Sequence, residues 1–423
     1  MEYIIILIAL FCGYKIYSNQ GQKRFDWFVC SMMVFSSSII IINKPQVPCH
    51  RLFLICFWLS VLKNHEQRRK MFPLKIPLGI YIAGLLIISF NSPHLNFFYK
   101  IYKPFVFLLD TYLILILACY GIKKENFKSN AIINTLMFVT LYGVVTLLFS
   151  SNPIQNMIAS AFGRTLLDSY YFGDRIRITS TWSHPIAYGL ICGALFYEYL
   201  PYWRKKKIQI LMLLLAINVF LCGSRTALAA FFLMGAVIVI TRYKLSRAIR
   251  QVIVICILLI PIYLAIPMVQ NKVDSMVNTA LGKDDVSGSS LEMRDEQTYY
   301  AMLIVSESPM LGHGLDYIIE VMGFGTDNFI GDSHLLGLES YTYTLLIERG
   351  FIGLFLEFFI WVSIVFYAFR HRKQDVEDSS LIIAYIIGFA FFSISTGTLD
   401  TKIPMLFVAS VAFSKLIKNR AII

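Results

Sequence analysis

Charged residues make up only 15% of this 423-residue chain, against 57% hydrophobic ones. With a mean hydropathy of +0.64, that shortage excludes a soluble globular protein and points to an integral membrane protein. The first apolar run opens on Glu2 with no basic stretch before it and no small-residue cleavage pattern after Tyr17, so it reads as a retained helix and not a signal peptide. Cysteine is sparse where a secreted scaffold or a metal centre would need it. Cys12, Cys30, Cys56, Cys119, Cys192, Cys222 and Cys256 fall in or at the ends of apolar runs, Cys49 sits at a boundary, and there is no CxxC pair. A disulfide framework and a zinc site are therefore not expected. Neither an internal repeat nor a linker rich in Pro, Gly or Ser divides the chain, so one integral membrane domain over 1–423 is expected.

What is abundant is apolar sequence. A helix needs about 20 residues to cross roughly 30 Å of hydrocarbon, and candidates lie near 3–17, 25–42, 47–62, 74–90, 101–120, 131–150, 184–200, 208–222, 226–241, 247–267, 350–369, 380–396 and 403–416. Several are short, which leaves 11–13 spans. The expected fold is all-α, a polytopic bundle of transmembrane helices.

Lysine and arginine placement tests this layout independently, because cytoplasmic loops carry the excess of positive residues. Alternate loops hold 25 of the 38 basic residues, and the intervening loops hold 13. The alternation predicts an N-terminus outside, a C-terminus in the cytoplasm, and extracytoplasmic loops over 150–184 and 268–350. The net charge of +12 then reads as a topology signal with some attraction to anionic lipid heads. It calls for no nucleic-acid partner.

The 268–350 segment breaks the apolar pattern. It carries thirteen acids (Asp274, Asp284, Asp285, Glu292, Asp295, Glu296, Glu307, Asp316, Glu320, Asp327, Asp332, Glu339 and Glu348) against Lys272, Lys283, Arg294 and Arg349. A loop this long is rarely a mere connector. Residues 291–305, LEMRDEQTYYAMLIV, read as an amphipathic helix on the outer membrane surface, capped by Ser289 or Ser290 with acids in its first turn. Ser308, Pro309, Gly312 and Gly314 stop it, and it would hold Arg294 over the mouth of the bundle.

Charges inside the spans are few: Asp110, Glu357 and, near span ends, Asp26 and Glu198. A charge buried in a bilayer is a functional hypothesis by default, though for Asp110 pairing with a neighbouring helix is an equal alternative. The outer arginines carry more. Arg177 opens RITSTWSHPIAYG, Arg225 lies in GSRTA at a helix start, and Arg294 lies in EMRDEQTYYA. A guanidinium stays protonated and its planar fork suits phosphate oxygens, so several converging on an outer cavity would make a pyrophosphate clamp. Each alone could equally pair with nearby acids.

In order, RITSTWSHPIAYG from Arg177, SRTALAA from Ser224, MRDEQTYYAMLIVSESPMLGHG from Met293 and ESYTYTLLIERGFIGL from Glu339 resemble the O-antigen polymerase and O-antigen ligase superfamily of bacterial envelope enzymes. The family pattern runs RxTGTFxHPNxxG, then SRTA, then an Arg-bearing helix ending in ExPxxGxG, then HNxYLxxLxExGxxG. The resemblance covers motifs over 175–354 and the span layout of the whole chain. Where the ligase pattern has an essential histidine, eleven residues before a glycine, this chain has Glu339, eleven before Gly350, which is more like a polymerase. His334 lies five residues earlier and could substitute in space. His184 matches a position that shapes a helix start beside Pro185.

The resemblance implies a metal-independent glycosyltransferase of a bacterial inner or plasma membrane, with no cofactor. Its donor would be an undecaprenyl diphosphate-linked oligosaccharide on the outer face, and the product an O-antigen or capsule polysaccharide. Membrane lipids, a chain-length regulator and a flippase are the candidate partners. A ligase delivering finished glycan to another acceptor is the near alternative, and a flippase or transporter the distant one. On the polymerase reading, Arg175, Arg177, Arg225 and Arg294 hold the diphosphate and Glu339 takes the acceptor proton, with His334 in reserve. Glu339 could equally serve as an acid at the start of the helix that re-enters the membrane, and Tyr341 and Tyr343 could be interface-belt residues or sugar platforms.

Overall fold

The computed structural model describes residues 2–35, 39–42, 47–64, 72–122, 125–161, 177–182, 184–243, 264, 270–271, 274, 278, 291–323, 335, 338, 340–396 and 399–419. Almost every predicted span within them is a helix. The order is α1 Glu2–Ser18, α2 Gly21–Val34, α3 Cys49–Lys63, α4 Lys75–Phe90, α5 Phe97–Asp110, α6 Leu113–Gly121, α7 Asn130–Leu148, α8 Pro153–Ala161, α9 Pro185–Tyr199, α10 Lys206–Leu221 and α11 Arg225–Arg242. After the long loop's helices, α12 Leu291–Glu307 and α13 Tyr317–Glu320, come α14 Tyr341–Arg370, α15 Val376–Ser395 and α16 Leu399–Asn419. The predicted 247–267 span lies outside the described residues apart from residue 264.

Two spans differ from expectation. The 25–42 run stops being helical at Val34 and ends in a strand, Ile40–Ile42, paired antiparallel with Val47–Pro48. These are the only strands among the described residues. The 101–120 run is two helices bent by 49° between Asp110 and Leu113. By length and apolarity alone four described helices can cross a membrane: Asn130–Leu148, Arg225–Arg242, Tyr341–Arg370 and Val376–Ile394, with the bent pair as a fifth. The protein is a multi-pass helical bundle.

Local sequence sets the helix starts. Ser129, Ser224, Ser340 and Asp375 each accept a hydrogen bond from a backbone N–H three residues on, so each caps its helix. At the core, α16 packs against α6, α9 and α15, and it buries Ile403, Met405, Leu406, Val408, Val411 and Phe413. Apolar side chains such as Phe355, Val362 and Phe366 on α14 stay exposed, as a lipid-facing surface requires.

The intramembrane acids are all partnered. Asp110, at the end of α5 and only 2% exposed, receives Nε and Nη2 of Arg51 at 3.1 and 2.6 Å. That bidentate pair holds α3 to the bend between α5 and α6. Glu198 meets Lys415 at 2.9 Å, and Asp26 accepts from Gln22 at 2.7 Å. Removing one partner leaves an uncompensated buried charge at about 3–5 kcal/mol. Arg51→Gln and Asp110→Leu should each lower thermal stability of the detergent-solubilised protein markedly, and the double variant should recover part of the loss. Additive losses would show that the pair does not hold the bend.

Candidate functional site

The decisive geometry lies where the long loop meets α14. This helix is broken at Gly350, whose φ of 61° lies in the left-handed region. The break would strand carbonyls above and N–H groups below, and residues 309–314 take up both. His313 N–H and Gly314 N–H donate to the carbonyls of Ile347 and Glu348, each at 2.9 Å. In the other direction Phe351 N–H and Ile352 N–H donate to the carbonyls of Pro309 and Met310 at 2.8 and 3.1 Å. The loop and the broken helix form one clasp.

The glycines of the two motifs are what allow this approach. Gly312 (φ 68°) lies against the Glu348–Arg349 peptide, and a Cβ at Gly350 would come within 2.5 Å of the Met310 carbonyl carbon. Gly314 (φ 107°) packs on Ser92, whose hydroxyl accepts from Leu315 N–H at 3.1 Å. His94 Nε2 meets the Leu315 carbonyl at 2.9 Å, and Lys103 bridges Asp316 and Glu320 at 2.5 and 3.2 Å. The clasp is thus tied to the 91–103 region as well. The surface helix α12 joins through His313, whose Nε2 meets the Ile304 carbonyl at 2.9 Å, and through Ala301 and Val305, which bury against Leu346, Ile347 and Ile318. Tyr299, Met302 and Leu303 remain exposed on its other side. The backbone of Arg294 belongs to the first turn of this anchored helix, and its side chain lies outside the described residues.

Below the break sits a cluster of charges that sequence reading did not assemble. Lys402 and Glu357 form an ion pair with both side chains fully buried. Tyr81 donates to Glu357 Oε2 at 2.6 Å, and Tyr112 donates to its other oxygen. Lys402 also donates to the Tyr341 hydroxyl at 2.7 Å, and Trp361 to the Tyr112 hydroxyl at 2.8 Å. Arg349 turns down into this group, its guanidinium 4.0 Å from the Phe107 ring centre and Nη1 3.3 Å from the Tyr81 hydroxyl. A Cβ on Gly353 would collide with the Arg349 stem. The run ERGFIG therefore has a residue-level meaning. Glu348 faces the N–H groups of Asp316 and Ile318, Arg349 dives, Gly350 breaks the helix and Gly353 makes room. Glu357 was visible as a charge inside an apolar run; Lys402 sat at the edge of one and gave no sign of burial.

The other two motifs meet elsewhere. Ile178 N–H donates to the Leu221 carbonyl at 3.2 Å, which pins the segment after Arg177 to the Cys222–Ser224 turn that precedes Arg225. Gly189, the last residue of RITSTWSHPIAYG, lets α9 close on Cys222 and Ala227. Thr179, Ser180 and Thr181 are buried, bonded to Asn152, to the Val139 carbonyl and to the Met33 carbonyl. His184 is the N-cap residue of α9, as its place before Pro185 predicted, and its carbonyl accepts from Tyr188 at 3.1 Å. Arg175, His334 and Glu339 lie outside the described residues. The described parts of the site thus bring Arg177's segment beside Arg225, and the loop motif into the break of α14.

Residues 210–358 match the family model of the O-antigen ligases. This segment is similar to the O-antigen ligases. It runs from within α10 through the SRTA helix and the clasp to just past Glu357, so both halves of the interlock fall inside the matched segment, while Tyr81, Tyr112 and Lys402 brace it from outside. No curated protein matches the chain. The match supports a role of the ligase and polymerase type in polysaccharide assembly.

The clasp has a direct test. Gly350→Ala must either force a non-glycine residue to a positive φ, at roughly 1–3 kcal/mol, or push the 309–314 loop off the break. Hydrogen exchange on the full-length protein should show faster exchange at Phe351 and Gly314 in this variant. Unchanged protection at both amides would mean that the loop is held by other contacts.

Proposed function

We propose that this protein is a polymerase of a surface polysaccharide, an O-antigen or a capsule. It transfers glycan from undecaprenyl diphosphate to a second lipid-linked repeat unit on the outer face of a bacterial inner or plasma membrane. The acceptor hydroxyl oxygen attacks the anomeric carbon of the donor glycan. The bond from that carbon to the phosphate oxygen breaks, and the lipid diphosphate leaves with the electron pair. Arg177, Arg225 and Arg294, and after them Arg175 as the next candidate, offset the charge developing on the diphosphate. Glu339 accepts the hydroxyl proton, with His334 as the reserve base. The arginines fill the part a metal ion plays in other phosphate chemistry.

The observation that carries this reading is the O-antigen ligase match together with Glu339 at the position, eleven residues before Gly350, where the ligase pattern has histidine. The clasp supports it, because it gives the arginine helix and the helix that follows Glu339 a common rigid frame. A ligase that passes finished glycan to another acceptor shares all of these features except Glu339. A transporter draws on a different observation, the two broken helices that meet beside buried charges.

Glycan profiling of a deletion strain separates the three. Complementation with Arg294→Ala or Glu339→Gln should leave lipid-linked single units on the outer face and remove long chains, with elongation down about a hundredfold or more. Wild-type chain lengths from both variants would remove the site assignment. Long lipid-linked chains lacking only their final attachment would favour the ligase, and units retained on the inner face would favour transport.

A further inference from the structure

The charges beneath the Gly350 break do not all close on one another. Glu357 is taken by Lys402, Tyr81 and Tyr112. Glu348 turns to the loop and faces the N–H groups of Asp316 and Ile318. Arg349 is left with its 3.3 Å contact to the Tyr81 hydroxyl and its stack on Phe107. Among the described residues its Nε has no hydrogen-bond partner, although Arg349 is only 6% exposed. Among the described residues no carboxylate lies within ion-pair distance of it, whereas Glu357 and Asp110 each have one cation at close range.

A guanidinium carries five N–H donors; Glu348 and Glu357 offset its charge at longer range, but a buried donor left without a hydrogen bond still costs about 1–3 kcal/mol. The surroundings add positive charge. Lys402 stacks on the same Phe107 ring, 4.8 Å from its centre.

We infer that Arg349 is an anion-receiving residue, whose unused donors take an anionic oxygen of the substrate beside the clasp. The ligand chemistry is a phosphoryl oxygen of the lipid diphosphate or a carboxylate of an acidic sugar. This inference rests on the reading that the substrate is a lipid-linked glycan. It adds Arg349 to the cations Arg177, Arg225 and Arg294, and it gives Gly353 a purpose in letting that side chain pass.

Titration calorimetry on the full-length protein in phosphatidylcholine nanodiscs tests this, with inorganic pyrophosphate and glucuronate as separate probes. Arg349→Met should weaken the preferred probe at least tenfold, and Arg349→Lys, which keeps the charge but loses the fork, should fall between it and wild type. Tyr81→Phe removes the one side-chain acceptor of the guanidinium among the described residues and should bind as tightly as wild type or more tightly. Preference for pyrophosphate identifies the diphosphate as the ligand, and preference for glucuronate an acidic sugar. Wild-type affinity for both probes in Arg349→Met overturns the inference. So does a loss in Tyr81→Phe matching that in Arg349→Met, because it marks Arg349 as a packing residue; if the methionine variant does not fold, the lysine and phenylalanine variants decide. Glycan elongation by wild type alongside unaltered binding of both probes in Arg349→Met would sink this inference and leave the polymerase standing. Arg349-dependent binding with no elongation by wild type would do the reverse.

Discussion

Four backbone hydrogen bonds across the Gly350 break hold the outer part of this molecule in place. A helix interrupted inside a bilayer leaves N–H and C=O groups that lipid cannot satisfy. Here the partner is a loop from the other side of the long polar segment, exchanging two bonds in each direction with Ile347, Glu348, Phe351 and Ile352. Because the bonds are reciprocal, the loop cannot leave without exposing both half-helices. This constraint fixes the C-terminal end of α12, and so the helix whose first turn bears Arg294, relative to the membrane bundle.

The buried charges below the break complete the same construction. Glu357 and Lys402 tie α14 to α16, Tyr81 and Tyr112 tie that pair to α4 and to the bend before α6, and Arg349 joins the group from the break itself. Buried ion pairs contribute little net stability compared with apolar packing, and their value lies in specifying one arrangement. Three helices and a loop are thereby held to a single register directly under the break at Gly350.

Much of the architecture was legible because membrane spans obey a simple length and hydropathy rule. Residues 131–150, 226–241 and 380–396 were read as spans and are helices, and 291–305 was read as a helix and is one. The glycine and proline stops after α12 were visible too. Their partner was not, since ESYTYTLLIERG reads as an uninterrupted helix start and nothing in its pattern marks Gly350 as a break that receives another loop. Lys402 looked like an ordinary outer base because a single lysine beside an apolar run normally reaches the interface; its burial depends on Glu357 lying opposite, a pairing 45 residues apart in the chain. RITSTWSHPIAYG draws attention in the sequence through Arg177, which opens it, yet its Thr179, Ser180 and Thr181 brace the bundle, a role that depends on Asn152, Val139 and Met33, distant in the chain.

The central claim, that this assembly elongates a lipid-linked glycan, is tested most directly by supplying the purified full-length protein in nanodiscs with the lipid-linked repeat unit as sole donor and acceptor and following product size over time. The account predicts a ladder of lipid-linked products that lengthens by whole repeats, with one lipid diphosphate released per repeat added. Release of lipid diphosphate only when a different acceptor is added, with no ladder from the repeat unit alone, would contradict it.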